Sequence, residues 1–281
     1  MQNIGYYNGE TGPLEEMRVP MLDRACYFGD GIYEVAVTRN HILYAPQEHL
    51  DRFYSSLAFM GIKPPMPEQE FLALLHALIR QVDDGEQLVY WQVSRGVALR
   101  GHAFPKDAKP SLWVMIVPAR VNDCLAAVPV ITLEDTRYLH CNIKTINLIP
   151  AVLASQKSAE AGCFESILHR GGRVTECAHS NVHILDGGML YTAPADNFIL
   201  KGVARGHLLE ACHQLSIPVK EEPYTLETLL QADEVLITST LAQCVRVSTV
   251  DGMPVGGKAA GLTERIQDYL RKRYINATTP A

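Results

Sequence analysis

The chain has 281 residues, 47% hydrophobic and 20% charged, with a formal net charge of −6. That balance supplies apolar material for one large core or two modest ones, and it argues against extensive disorder. The negative charge, with no block of like charges, argues against a broad nucleic-acid-binding surface, so no such partner is expected. Seven cysteines (Cys26, Cys124, Cys141, Cys163, Cys177, Cys212, Cys244) are scattered and form no C-x-x-C pair. The pattern fits reduced thiols in a cytoplasmic protein better than a disulfide framework or a zinc site. Residues 1–5 hold no basic segment leading into an apolar run, and no apolar stretch reaches membrane-spanning length. A soluble, intracellular protein is expected, with no membrane partner and no metal.

In chain order, residues 6–10 carry a hairpin turn signal at Asn8-Gly9. Residues 32–37 and 41–44 read as paired strands around Arg39-Asn40. A helix is predicted over about 46–60, with Leu50, Phe53, Leu57 and Met60 on one stripe and Gly61 as its stop. A second helix is predicted over 68–82 through Phe71, Leu75, Leu78 and Val82. Strands at 88–94 and 112–117 flank a long loop, 96–110, of a length that is usually functional or disordered. The apolar pattern lapses over 119–127 and resumes at Val128.

Beyond that lapse, Pro150 and Gly162 bracket a helix. Residues 164–191 read as a meander turning at Gly171-Gly172 and Gly187-Gly188. A helix follows Gly202 to about 215, strands follow at 234–239 and 245–250, and a terminal helix spans 262–274. The small, polar residues 276–281 are expected to fray. The mixture predicts an α/β or α+β protein of two domains: a smaller one at 1–118, a linker at 119–127 and a larger one at 128–281. A cleft between them would be the natural place for a small molecule.

Lysine is scarce, at nine residues. Lys144 stands out in Ile143-Lys144-Thr145-Ile146-Asn147-Leu148-Ile149, because apolar flanks lower an amine's pKa toward what a Schiff-base lysine needs. A lysine snorkelling from an edge strand is the plain alternative, and Lys201 competes on the same grounds. Glu176 falls on the buried face of a strand with Val174, so its carboxylate needs either a protonated pyridine nitrogen or an arginine. Gly202-Val203-Ala204-Arg205 opens a helix whose free N–H groups suit an anion, and Thr238-Ser239-Thr240 ends a strand in three hydroxyls. Arg52, among Leu50, Phe53 and Leu57, is available to a phosphate or carboxylate, or else pairs with Asp51 or Glu48. Arg100 and His102, two apart on the long loop, either clamp a carboxylate or are simply solvated.

Together these segments resemble the D-amino acid transaminases within the class IV aminotransferases, from about Tyr7 to Tyr274. The resemblance rests on Tyr27-Phe28-Gly29-Asp30-Gly31-Ile32-Tyr33-Glu34-Val35, Glu48-His49-Leu50-Asp51-Arg52 and the Lys144 segment. It rests also on Val174-Thr175-Glu176, Ser180-Asn181-Val182, Leu200-Lys201-Gly202-Val203 and Ile237-Thr238-Ser239-Thr240. Arg100-Gly101-His102 is similar to the arginine-x-histidine carboxylate trap of the D-amino acid branch. The branched-chain aminotransferases and aminodeoxychorismate lyases of the same group generally lack that trap.

The resemblance implies a two-domain fold-type IV enzyme with pyridoxal 5′-phosphate in the interdomain cleft. Lys144 would carry the cofactor and Glu176 would hold its ring nitrogen protonated. Arg52, the backbone at Val203 and Ala204, and the hydroxyls of Ser239 and Thr240 would bind its phosphate. Tyr33, Arg100 and His102 would grip the substrate carboxylate, with the loop reaching in from the neighbouring subunit of a homodimer. The chain departs from the family's glycine and small serines at Cys177-Ala178-His179.

Overall fold

A computed structural model describes residues 1–121 and 126–280. Cys124 and residues 122–125 of the expected linker lie outside the described residues. The chain divides into two compact units. The first is Met1–Val121 with Ile143–Asn147 and Ile275–Ala281, and the second is Asn122–Asn142 with Leu148–Tyr274.

The first unit contains β1 (Ile4–Tyr7), β2 (Glu10–Gly12), α1 (Ala25–Phe28), β3 (Gly31–Arg39), β4 (Ile42–Leu43), α2 (Pro46–Met60), α3 (Glu68–Ile79), β5 (Gln87–Ser94) and β6 (Ser111–Pro118). Its six strands run in the order β2-β1-β6-β5-β3-β4, every pair antiparallel. The β3–β4 connection is the tight turn that Asn40 and His41 signal, both with positive φ. Proline at its start and Gly61 at φ 59 bound α2 as expected. The predicted stripe is buried: Leu50, Phe53 and Leu57 pack with Phe71, Leu75, Leu78 and Trp91 in one core. The helix α3 ends at Ile79, short of the expected residue 82, because Gln81 and Val82 donate back to Leu78 and Ile79 in tighter turns. Val82 still reaches the core.

Residues 143–147 lie along the start of β3. Tyr33 N–H donates to the Lys144 carbonyl at 2.9 Å, and Ile146 N–H donates to the Gly31 carbonyl at 3.2 Å. That edge is open because β4 pairs only with Thr38 and Arg39. The C-terminal residues do not all fray: Thr278 is fully buried and its carbonyl accepts from Asn40 Nδ2 at 2.9 Å.

The second unit begins with β7 (Val128–Glu134), α4 (Ile149–Glu160), β8 (Glu165–Arg170), β9 (Arg173–Cys177), β10 (Asn181–Asp186) and β11 (Met189–Thr192). It continues with α5 (Val203–Gln214), β12 (Val219–Glu221), α6 (Leu226–Gln231), β13 (Glu234–Ser239), β14 (Gln243–Val250), β15 (Met253–Pro254) and α7 (Ala260–Ala277). The sheet order is β12-β11-β10-β13-β14-β7-β8-β9, with β15 on β14. The strand β7 runs parallel to both β8 and β14. Residues 164–191 therefore do not form one meander. They are two hairpins, β8–β9 and β10–β11, joined at Ala178-His179, where Cys177 N–H donates to the Ser180 carbonyl at 2.8 Å. The mixed α and β content is as predicted.

Candidate active site

In the first unit the Lys144 ammonium lies 4.3 Å from the centre of the Tyr33 ring, and Tyr33 stacks on Tyr90 with ring centres 5.5 Å apart. The backbone pairing just described fixes that approach, so the aromatic face comes from β3 and the amine from the segment bridged to it. Lys144 is half-buried, whereas Lys201 is exposed.

Arg52 reaches a carboxylate on the neighbouring strand β3. Its Nε and Nη2 form a fork on Glu34, 2.8 and 2.5 Å from the two carboxylate oxygens. Glu34 is fully buried and also faces His49 Nδ1 at 3.1 Å. Burial opposes its charge, but Arg52 and His49 outweigh that and hold the carboxyl well below the usual range.

The long loop is tied to α1. Arg24 donates to the Gly101 carbonyl at 2.7 Å and to Asp30 at 2.6 Å, and Arg95 donates to Asp30 at 2.8 Å. Arg100 and His102 converge on Phe28, the guanidinium 5.0 Å and the imidazole ring 5.2 Å from its centre. Among the described residues, no hydrogen bond, ion pair or ring contact joins either of them to Tyr33 or Lys144 of the same chain.

In the second unit Glu176 is almost fully buried. One oxygen is paired with Arg137 Nη1; the other accepts from Asn181 Nδ2 at 2.8 Å and Leu200 N–H at 3.0 Å. Burial pushes the carboxyl up to about 7, with Arg137 restraining the rise. The arginine alternative for Glu176 is thus realised here, by a residue that motif reading passed over. Arg137 in turn grips Asp135, with Nε and Nη2 each 2.9 Å from a carboxylate oxygen, and reaches the Phe198 carbonyl at 3.1 Å. Burial would raise Asp135, but the bonds and charge of Arg137 hold it down to about 2.

The start of α5 is held beside this cluster. Gly202 offers no side chain to cap the first turn, whose N–H groups at Val203 and Ala204 suit an anion. Arg205 turns away, fully buried, onto the Ala193 carbonyl and Glu221. Antiparallel pairing sets Asn181 opposite Thr238, one residue before the partly exposed Ser239 and Thr240 at the end of β13. Ser239 Oγ accepts from Ala242 N–H at 3.1 Å, which leaves its own proton to donate. The second unit therefore gathers Glu176, the α5 N-terminus and the 239–240 hydroxyls, while Lys144, Tyr33, Arg52, Arg100 and His102 belong to the first.

No group of His, Cys, Asp or Glu among the described residues is arranged to hold a metal ion. No helix among them is long and apolar enough to cross a membrane.

Residues 31–250 match the family model described as amino-transferase class IV, and the chain belongs to that family. It is 38% identical over 277 residues to a D-alanine aminotransferase from Listeria monocytogenes, covering 96% of each chain. A D-alanine aminotransferase from Bacillus licheniformis is 37% identical over 277 residues, covering 97% of each. Among solved structures, the branched-chain amino acid aminotransferase from Escherichia coli superposes with a TM-score of 0.89 at 21% identity, over 99% of this chain and 96% of that one. That likeness shows the shared fold, which is the expected fold-type IV.

Proposed function

We propose that this protein transfers amino groups between D-amino acids, D-alanine among them, and 2-oxo acids such as 2-oxoglutarate, using pyridoxal 5′-phosphate. The observation that carries the D-specific reading is Arg100 and His102 gathered on Phe28, in a chain whose full-length relatives include D-alanine aminotransferases.

The residues fit the cofactor. A buried carboxylate with a raised pKa suits a cationic ring nitrogen, and an uncapped helix start and a pair of hydroxyls each suit a phosphate. In this reading Lys144 anchors the cofactor, Glu176 faces the ring nitrogen, and Arg52, Val203, Ala204, Ser239 and Thr240 hold the phosphate. When bound, pyridoxal phosphate supplies an electron sink and a temporary carrier for the amino group. Lys144 Nζ takes the proton from the substrate Cα and returns it in the reverse half-reaction. Tyr33 backs that amine with its ring face, and Arg100 and His102 fix the substrate carboxylate, so one enantiomer presents its Cα–H to Lys144. Glu34 and His49 hold the Arg52 guanidinium in place.

The same reading includes a homodimer. Among the described residues, no hydrogen bond, ion pair or ring contact joins Arg100 or His102 to Tyr33 or Lys144 of their own chain, and the loop bearing them displays Leu99 and Phe104, 81% and 64% exposed. The loop then serves the neighbouring subunit's site. The six described cysteines are free thiols, in keeping with a reducing cytoplasm.

The test is a panel of paired D- and L-amino acids with 2-oxoglutarate as acceptor. D-Alanine should turn over with release of pyruvate and its L-enantiomer should not. Preferential use of L-branched-chain amino acids would replace the D-specific reading with a branched-chain one.

Glu176→Gln should keep bound cofactor but lose about 10²-fold or more in kcat, because an amide cannot hold the ring proton by charge. A second readout needs no cofactor. The folded pKa of Glu176, about 7, lies above the ordinary 4.5, so its contribution to stability is complete below 4.5 and is lost as pH rises through 7. Cofactor-free Glu176→Gln should show a flatter melting profile across that window. Unchanged kcat together with an unchanged profile would remove Glu176 from the site.

A further inference from the structure

We infer that Asn181 is a positioning residue that locks the Glu176 carboxylate to the start of α5, and that position 202 is glycine to make room for it. Only the catalytic consequence rests on the cofactor reading above; the packing claim stands apart from it.

Asn181 is 5% exposed, and its Nδ2 spends both protons: one on Glu176 Oε2 at 2.8 Å, one on the Leu200 carbonyl at 2.9 Å. The amide cannot be turned over, since Oδ1 would then face a carboxylate and a carbonyl, two acceptors. Its Oδ1 is therefore fixed against Gly202. A Cβ built on Gly202 would lie inside 3.0 Å of that oxygen and 3.4 Å from Asn181 Cγ. The backbone there does not call for glycine: φ is −64° and ψ is 141°, extended values open to any residue. The position is an N-cap, where Ser, Thr, Asn and Asp lead, and a glycine gives up that side-chain cap. Contact with Asn181, not conformation, explains the glycine. Asn181, together with the Leu200 N–H, thus sets the separation between the carboxylate proposed for the ring nitrogen and the turn proposed for the phosphate.

The test is a cycle of four full-length proteins: wild type, Gly202→Ala, Asn181→Ala and the double variant. Each is melted with and without saturating pyridoxal phosphate, and assayed for kcat and KM with D-alanine. Gly202→Ala alone should lower the melting temperature by about 3–10 °C, the range for an overpacked contact. In the Asn181→Ala background the same substitution should cost under about 2 °C, since the obstructing oxygen is gone. Asn181→Ala should lower kcat about 10- to 100-fold, the loss of one hydrogen bond to a charged group, with KM within about threefold.

Equal cost of Gly202→Ala in both backgrounds would overturn the steric claim. A lowered melting temperature with kcat unchanged in Asn181→Ala would reduce Asn181 to a structural residue and overturn the positioning claim. If no variant and no wild type binds pyridoxal phosphate, the cofactor reading fails, while the cofactor-free melting cycle still decides the coupling.

Discussion

Lys144→Ala should lower kcat by about 10²–10⁴-fold from loss of proton transfer alone, and by more if covalent anchoring is also lost. The structure gives that expectation its footing. The amine is half-buried over the Tyr33 ring, and backbone hydrogen bonds at Tyr33 and Ile146 leave the segment little freedom. Lys201 sits exposed just before Gly202, outside any comparable backbone pairing to an aromatic strand. Borohydride treatment of the holoenzyme should fix the cofactor covalently onto a peptide containing Lys144. Label on a Lys201 peptide, or full turnover by Lys144→Ala, would end the assignment.

The second large effect belongs to Arg100. Breaking a charge-assisted contact to the substrate carboxylate costs about 2–4 kcal/mol, or about 30- to 1000-fold in kcat/KM. Arg100→Ala should damage both half-reactions, because amino donor and oxo acceptor share that carboxylate. A primary amine lacking a carboxylate should lose little. Arg100 also stacks on Phe28, so Arg100→Gln, which leaves a long side chain on the ring, separates charge loss from loosening of the loop. Mixing Arg100→Ala with Lys144→Ala chains should restore activity, since a heterodimer with crossing loops has one intact site. No recovery after verified subunit exchange would place the loop in its own subunit's site and remove the case for a shared one.

Long periodic features of this molecule were readable from residues, while pairings across distance were not. The α2 stripe and the hairpins at Asn8 and Asn40 follow from spacing and turn chemistry that act within a few residues. Arg52 shows the contrary case. Adjacent helix positions point in different directions, so Asp51 was a poor partner; Asp51 instead accepts from Gln47, one turn back, while Arg52 finds Glu34 on a strand. Arg137 carried no motif at all. Its partner Glu176 lies 39 residues on, and only the placement of the loop after β7 against the end of β9 brings the two together. The strand β12 and the helix α6, of 3 and 6 residues, are too short for periodicity to register. The false meander came from reading four strands in sequence as four neighbours, when β13 inserts itself beside β10.

The five residues 143–147 complete the open edge of β3 in the first unit, and Thr278 caps the turn at Asn40 from the far end of the chain. As the chain leaves the ribosome, β3 is therefore synthesised more than a hundred residues before the segment that covers its edge. Until then Gly31 and Tyr33 present unpaired backbone groups, the kind of edge that recruits foreign strands. The N-terminal unit can collapse early, but it cannot be finished until the last turn of α7 has been made. A nascent or truncated chain ending near residue 121 is thus an aggregation hazard by its topology alone, whatever the strength of its apolar core.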